Sequence, residues 1–136
     1  MIVRVAAVIS VVLLGAVVAF QIALVLGAPW GDYTQGGAAT GSLPTSGRVL
    51  AALSIVILTA FALAILARVG WGPLRGAPRR LVSVLAWISV AYAVVAVVLN
   101  AATPSARERM VWVPVSVVLL VTQFTTVMGT RRRGGG

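Results

Sequence analysis

Residues Val49–Ala67 read VLAALSIVILTAFALAILA and contain no Asp, Glu, Lys, Arg or His. As a helix rising 1.5 Å per residue, the run covers roughly 28 Å, close to the hydrocarbon thickness of a bilayer. A water-soluble amphipathic helix keeps a polar face; this one is apolar all round. Three runs of the same kind accompany it, at Val5–Leu26, Leu81–Leu99 and Met110–Met128. The expected fold is all-α: a four-transmembrane-helix antiparallel bundle, with helices over about 4–27, 47–69, 80–100 and 105–129.

The 136 residues leave room for one integral membrane domain, 1–136. Hydrophobic residues make up 60% and charged residues 10%, a balance outside the range of soluble domains. Cysteine is absent, which removes disulfides, thiol redox chemistry and thiolate metal sites. Histidine is absent too, and with it the commonest metal ligand and the neutral-pH proton shuttle. No metal and no cofactor are expected.

The net charge is +9, and every basic residue is Arg. The arginines sit at the ends of the spans, where topology and lipid headgroups account for them. The expected partners are therefore the lipid bilayer and anionic lipid headgroups, not nucleic acid. All-Arg usage beside abundant Ala, Val and Gly suggests a GC-rich bacterial genome. The first apolar run exceeds the roughly 7–15 residues of a signal-peptide core, and Pro29 follows Gly27-Ala28, so a retained first helix is expected.

With four spans, the N-terminus, the 2–3 loop and the C-terminus share one side. They carry Arg4, Arg68, Arg75, Arg79, Arg80, Arg131, Arg132 and Arg133. The other side holds Arg48, Arg107 and Arg109, with both acids, Asp32 and Glu108. The positive-inside rule places both termini in the cytoplasm of a multi-pass bacterial inner-membrane protein. Trp30, Tyr33 and Trp112 fit the outer interface and Trp71 the inner one.

The first outer loop, Gly27–Gly47, reads GAPWGDYTQGGAATGSLPTSG. Its Pro and Gly residues mark a series of turns, yet Trp30, Asp32, Tyr33 and Leu43 exceed what a spacer needs. Either it is a compact lid on the bundle or a surface for a partner or ligand. Its glycines lack the Gly-Lys-Ser/Thr ending of a phosphate loop. Thr45 or Ser46 is positioned to cap helix 2. Arg48 enters the first turn of that helix, which disfavours a cation, so pairing with Asp32 or Glu108 is expected.

The second outer segment reads LNAATPSARERMVWVP from Leu99 to Pro114. Asn100 suits the end of helix 3. Ser105 and Glu108 have capping-box spacing, which would turn the carboxylate back toward a free backbone N–H. Pro114 would kink helix 4 and free the Met110 carbonyl. On the inner side, Arg68, Arg75, Arg79 and Arg80, with Arg131, Arg132 and Arg133 of the tail, suit either a topogenic stop or contacts with anionic headgroups.

Within the membrane, Gly15 and Ala19 form a small-xxx-small pair suited to close helix contact. Gln21 is expected to bond Ser54 at similar depth. Thr59, Tyr92, Thr122 and Gln123 fall near mid-membrane and would form one polar layer, as structural glue or as a permeation path.

The residues Gly27-Ala28-Pro29-Trp30-Gly31, Gly36-Gly37, Gly41, Leu43-Pro44 and Arg48 in the first outer segment, with Asn100, Pro104-Ser105, Glu108-Arg109, Trp112 and Pro114 in the second, resemble a group of small four-helix bacterial integral membrane proteins. The resemblance spans most of the chain. It implies the architecture and points at the outer face, and it implies no catalytic residues. Trp30, Asp32, Arg48, Glu108, Arg109 and Trp112 would converge there.

Three functions follow as expectations. The first is a non-enzymatic accessory, scaffold or interaction module with an outer lid and a membrane-protein partner. The second is a transporter or channel acting as a homo-oligomer, its path the mid-membrane layer; proton-coupled export would need a carboxylate in helix 1, which has none. The third is a lipid-acting membrane enzyme using Asp32 and Glu108 as acid and base.

Overall fold

A computed structural model describes residues 1–131, and Arg132 and Arg133 lie outside the described residues. The chain forms four long helices: α1 Ile2–Val25, α2 Thr45–Arg68, α3 Arg79–Ala102 and α4 Ala106–Arg131. Each is long and apolar enough to cross a membrane. Short 3-10 turns at Gly31–Tyr33, Gln35–Gly37 and Pro73–Gly76 complete the order, and no strand occurs among the described residues. The molecule is a multi-pass helical membrane bundle.

Each helix packs along its neighbours in chain order, and α4 closes the ring onto α1, leaving α1 and α3 diagonal. The end of α2 meets the end of α4 through Arg68 and Thr130, while Gly129 of α4 lies against Val3 of α1. Neighbours therefore run antiparallel. One end of the bundle carries the Gly27–Pro44 lid; the other carries the arginines.

In the most apolar window of each helix, 17–33% of positions are buried. The remaining apolar surface faces lipid, so the hydrophobic effect supplies little force between helices. Close packing does that work. Ala7, Ala51, Ala64, Ala86 and Ala93 are buried and let backbones approach. At the arginine end Ala7, Ile65, Ala86, Val90 and Val127 form one layer. Leu14, Leu58, Phe61 and Leu119 fill the middle. At the lid end Leu43 descends from the lid to meet Leu24 and Ala51.

Several local expectations are corrected. Pro44 occupies the N-cap of α2, and Thr45 and Ser46 lie in its first turn. Proline needs no amide donor there, and its fixed φ suits the start of a helix. Helix α3 passes Asn100 and stops at Thr103, ahead of Pro104. Helix α4 runs from Ala106 to Arg131 with Pro114 inside it, as expected. Gly15 and Ala19 face outward, and nothing among the described residues would touch a side chain placed at Gly15. The Ser54 hydroxyl donates to the Leu50 carbonyl of its own helix instead of reaching Gln21.

Candidate functional site

The lid is folded by close backbone contacts of its own. The Gly31 amide donates to the Gly41 carbonyl at 2.8 Å. A side chain at position 31 would collide with the carbonyls of Ala39 and Gly41, so only glycine fits. Gln35 sits at φ 51°, a conformation rare outside glycine. Its amide nitrogen donates to the Gly47 carbonyl at 2.9 Å, tying this turn to the start of α2.

The lid is then fastened to α4. The Trp112 indole N–H donates to the Tyr33 carbonyl at 2.6 Å. The Ser105 hydroxyl donates to the Asp32 carbonyl at 2.6 Å. Oε2 of Glu108 accepts from the Gly36 amide at 2.9 Å and from the Thr103 hydroxyl at 2.7 Å. Gly36 reaches this geometry at φ 77°. Beneath the lid, Phe20 stacks on Trp30 with centroids 5.8 Å apart and meets Trp112 edge-on at 4.8 Å.

Trp30, Asp32, Glu108 and Trp112 thus meet at one end, as the two sequence segments imply, but their partners differ from expectation. Only half of the capping box forms: the Glu108 amide donates to Ser105 Oγ at 3.2 Å. The Ser105 amide turns to Thr103 Oγ1 at 3.4 Å, and the carboxylate goes to the lid. Arg48 pairs with neither acid, because its Nε donates to the nearby Leu43 carbonyl at 3.0 Å. Asp32 is paired instead with Arg107 at 2.8 Å. Arg109 donates to the Thr103 carbonyl at 2.9 Å. Thr103, Gln35 and Arg107 are the lid contacts that sequence reasoning missed. Thr103 directly precedes Pro104, a place where a helix must end and a hydroxyl is free to turn.

The mid-membrane layer is also smaller than expected. Ser10 of α1 donates to Thr122 Oγ1 at 2.8 Å, both buried. Thr122 donates onward to the Val118 carbonyl. Thr59 is exposed, because the inward position of its turn belongs to Leu58. Tyr92 is 43% exposed and tilts against Phe61. Gln123 is buried near Thr122, and its Oε1 has no partner among the described residues.

Gln123 marks the inner end of a cavity of about 360 Å³ that runs under the lid to Glu108 and Trp112. At the opposite end of the bundle a broader basin of about 1040 Å³ is lined by Arg4, Arg68, Arg75, Arg79, Arg80 and Arg131. Both acidic side chains of the chain lie at the lid end, so no Asp or Glu offsets this charge among the described residues. Arg4, missed as a basin residue, stands over Trp71 at 5.8 Å. Arg68 differs from the others. Its Nε donates to Thr130 at 2.8 Å and its Nη2 to the Val127 carbonyl at 2.9 Å, closing the end of α4. No cluster able to hold a metal occurs among the described residues.

No family model, curated protein or solved structure matches the chain.

Proposed function

We propose that the chain is a small non-enzymatic integral membrane module, an accessory, scaffold or interaction subunit that presents its lid as a fixed recognition surface. One observation carries this reading. The polar side chains beneath the lid are engaged with the lid's own backbone, at Asp32, Tyr33 and Gly36. A surface held in one shape loses little conformational entropy when a partner docks. Trp30, 43% exposed, supplies the kind of aromatic side chain that interfaces favour.

An acid/base enzyme has less support. It would need Asp32 and Glu108 free to exchange protons, whereas Asp32 pairs with Arg107 and Glu108 fastens the lid. A transporter or channel built on the mid-membrane layer also has less support, because Thr59 is exposed and does not join Thr122 and Gln123 in the interior.

The excess of arginine at the end opposite the lid supports a cytoplasmic location for both termini, with the lid outside. The sequence resemblance supports a bacterial cell membrane. The arginine basin would then face the anionic headgroups of the cytoplasmic leaflet.

The test is the mass of the intact particle in native lipid nanodiscs. A second protein in fixed stoichiometry is expected. Its retention should fall with Trp30→Ala or Thr40→Arg on the lid surface and persist with Thr122→Val. A homo-oligomer with no second protein, together with flux into liposomes, would overturn the proposal in favour of the transporter.

A further inference from the structure

The cavity beneath the lid has two unlike parts. Its walls are apolar, with Leu14, Leu58 and Leu119 buried along them. Its lid end holds Glu108, which is 8% exposed. Both hydrogen bonds to this carboxylate go to Oε2, and both donors are neutral. The one ion pair among the described residues is Arg107 with Asp32, so no cation pairs with Glu108. A buried carboxylate without a cation is costly, and removing it from water is offset only by a charged partner or further donors.

The shape restricts what brings that partner. Glu108 and Gln123 bound the slot along α4, roughly 22 Å apart at 1.5 Å per residue. A volume of about 360 Å³ leaves room for one hydrocarbon chain and not two, and Leu14 and Gln123, each 1% exposed, close the inner end. On α3, Tyr92, Val95 and Leu99 line the slot yet are 43%, 52% and 64% exposed, so it opens sideways to lipid.

We infer that this slot binds a single-chain amphiphile with an ammonium head: the head on Glu108, the chain lying along Val95 and Leu99 where the slot opens to lipid. An ammonium supplies both the missing charge and hydrogen-bond donors. The inference is independent of the recognition role proposed for the lid surface.

Native mass spectrometry of the full chain in a mild detergent tests it, with dodecylammonium, dodecanol and dodecanoate as probes. The wild-type chain should retain one dodecylammonium, held roughly 10- to 100-fold more tightly than dodecanol, the range of one charge-assisted hydrogen bond. Dodecanoate should be rejected. Glu108→Gln keeps an acceptor for Gly36 and should erase the preference for the amine while dodecanol still binds. Ala96→Phe, which narrows the slot without touching a side-chain hydrogen bond, should remove both ligands. Should Glu108→Gln fail to fold, the wild-type preference and Ala96→Phe decide. Equal retention of the three probes, undiminished amine binding in Ala96→Phe, or retention of a two-chain phospholipid in place of the amine would overturn it.

Discussion

Glu108 and Gly36 are joined by a 2.9 Å hydrogen bond from the Gly36 amide to Oε2, across seventy-two positions of chain. Thr103 donates to the same oxygen at 2.7 Å. One atom therefore holds the lid, the end of α3 and the start of α4 together. Glu108→Ala leaves two donors without an acceptor under the lid, at about 1–3 kcal/mol each. Because the helices do not depend on this contact, the loss should appear as local opening. Hydrogen exchange in nanodiscs is expected to accelerate across Gly31–Gly37 by about tenfold or more, with the four helices unchanged. Protection equal to wild type would show that Oε2 does not hold the lid.

Asp32 and Arg107 form the other cross-link, and its energy should be small. Their side chains are 35% and 62% exposed, so water and salt compete with the 2.8 Å contact. Exposed pairs of this kind contribute about 0–1 kcal/mol. Asp32→Asn should leave the midpoint of thermal unfolding nearly unchanged and leave Gly36 protected. The contrast with Glu108→Ala separates a surface pair from a buried one.

Gln123 and Thr122 are adjacent, yet their replacement should have opposite effects. Thr122 receives the Ser10 hydroxyl at 2.8 Å, and Thr122→Val removes that interhelical bond. Such bonds average about 0.6 kcal/mol in membrane proteins. The buried Oε1 of Gln123 has no partner among the described residues, so Gln123→Leu removes an unsatisfied acceptor and should be neutral or stabilising by about 1 kcal/mol. Thermal unfolding in one detergent checks both. A loss of stability in Gln123→Leu would mean that this oxygen is satisfied in the membrane.

What was legible in the sequence follows from what lipid demands. A span must be long and free of charge, and those properties can be read one residue at a time. Which way a side chain faces cannot be read so simply here. In helices apolar on every side, polarity does not distinguish an inward position from an outward one. Thr59 therefore looked like a member of the polar layer, although Leu58 holds the inward place. Ser10, which does join it, looked no different from other small polar residues. The outer cluster was legible as a neighbourhood because both segments lie at one end. Its pairings were not. The Ser-x-x-Glu spacing of Ser105 and Glu108 describes a local bond, but the lid presents the Gly36 amide to the same carboxylate, and that position depends on folded backbone far away in the chain.

At the arginine end the same distinction, between a residue that holds the fold and one that meets a ligand, predicts a split among the six arginines of the basin. Arg75, Arg79 and Arg80 are exposed and make no side-chain hydrogen bonds among the described residues. Near an anionic membrane surface each is worth about 1 kcal/mol. Replacing all three with Gln should weaken phosphatidylglycerol retention roughly 100-fold at low salt, leave phosphatidylcholine unaffected and leave unfolding unchanged. The difference should shrink as salt rises, because exposed charges are screened beyond about 10 Å at 0.1 M. Competition by inorganic phosphate would separate a free anion from a lipid headgroup. Arg68 should behave in the opposite way. Its bonds to Thr130 and Val127 tie α2 to the end of α4, so Arg68→Gln should lower the unfolding midpoint while retaining most of the lipid selectivity. Equal effects of Arg68→Gln and the triple variant on lipid retention would show that the basin binds as one undivided charge.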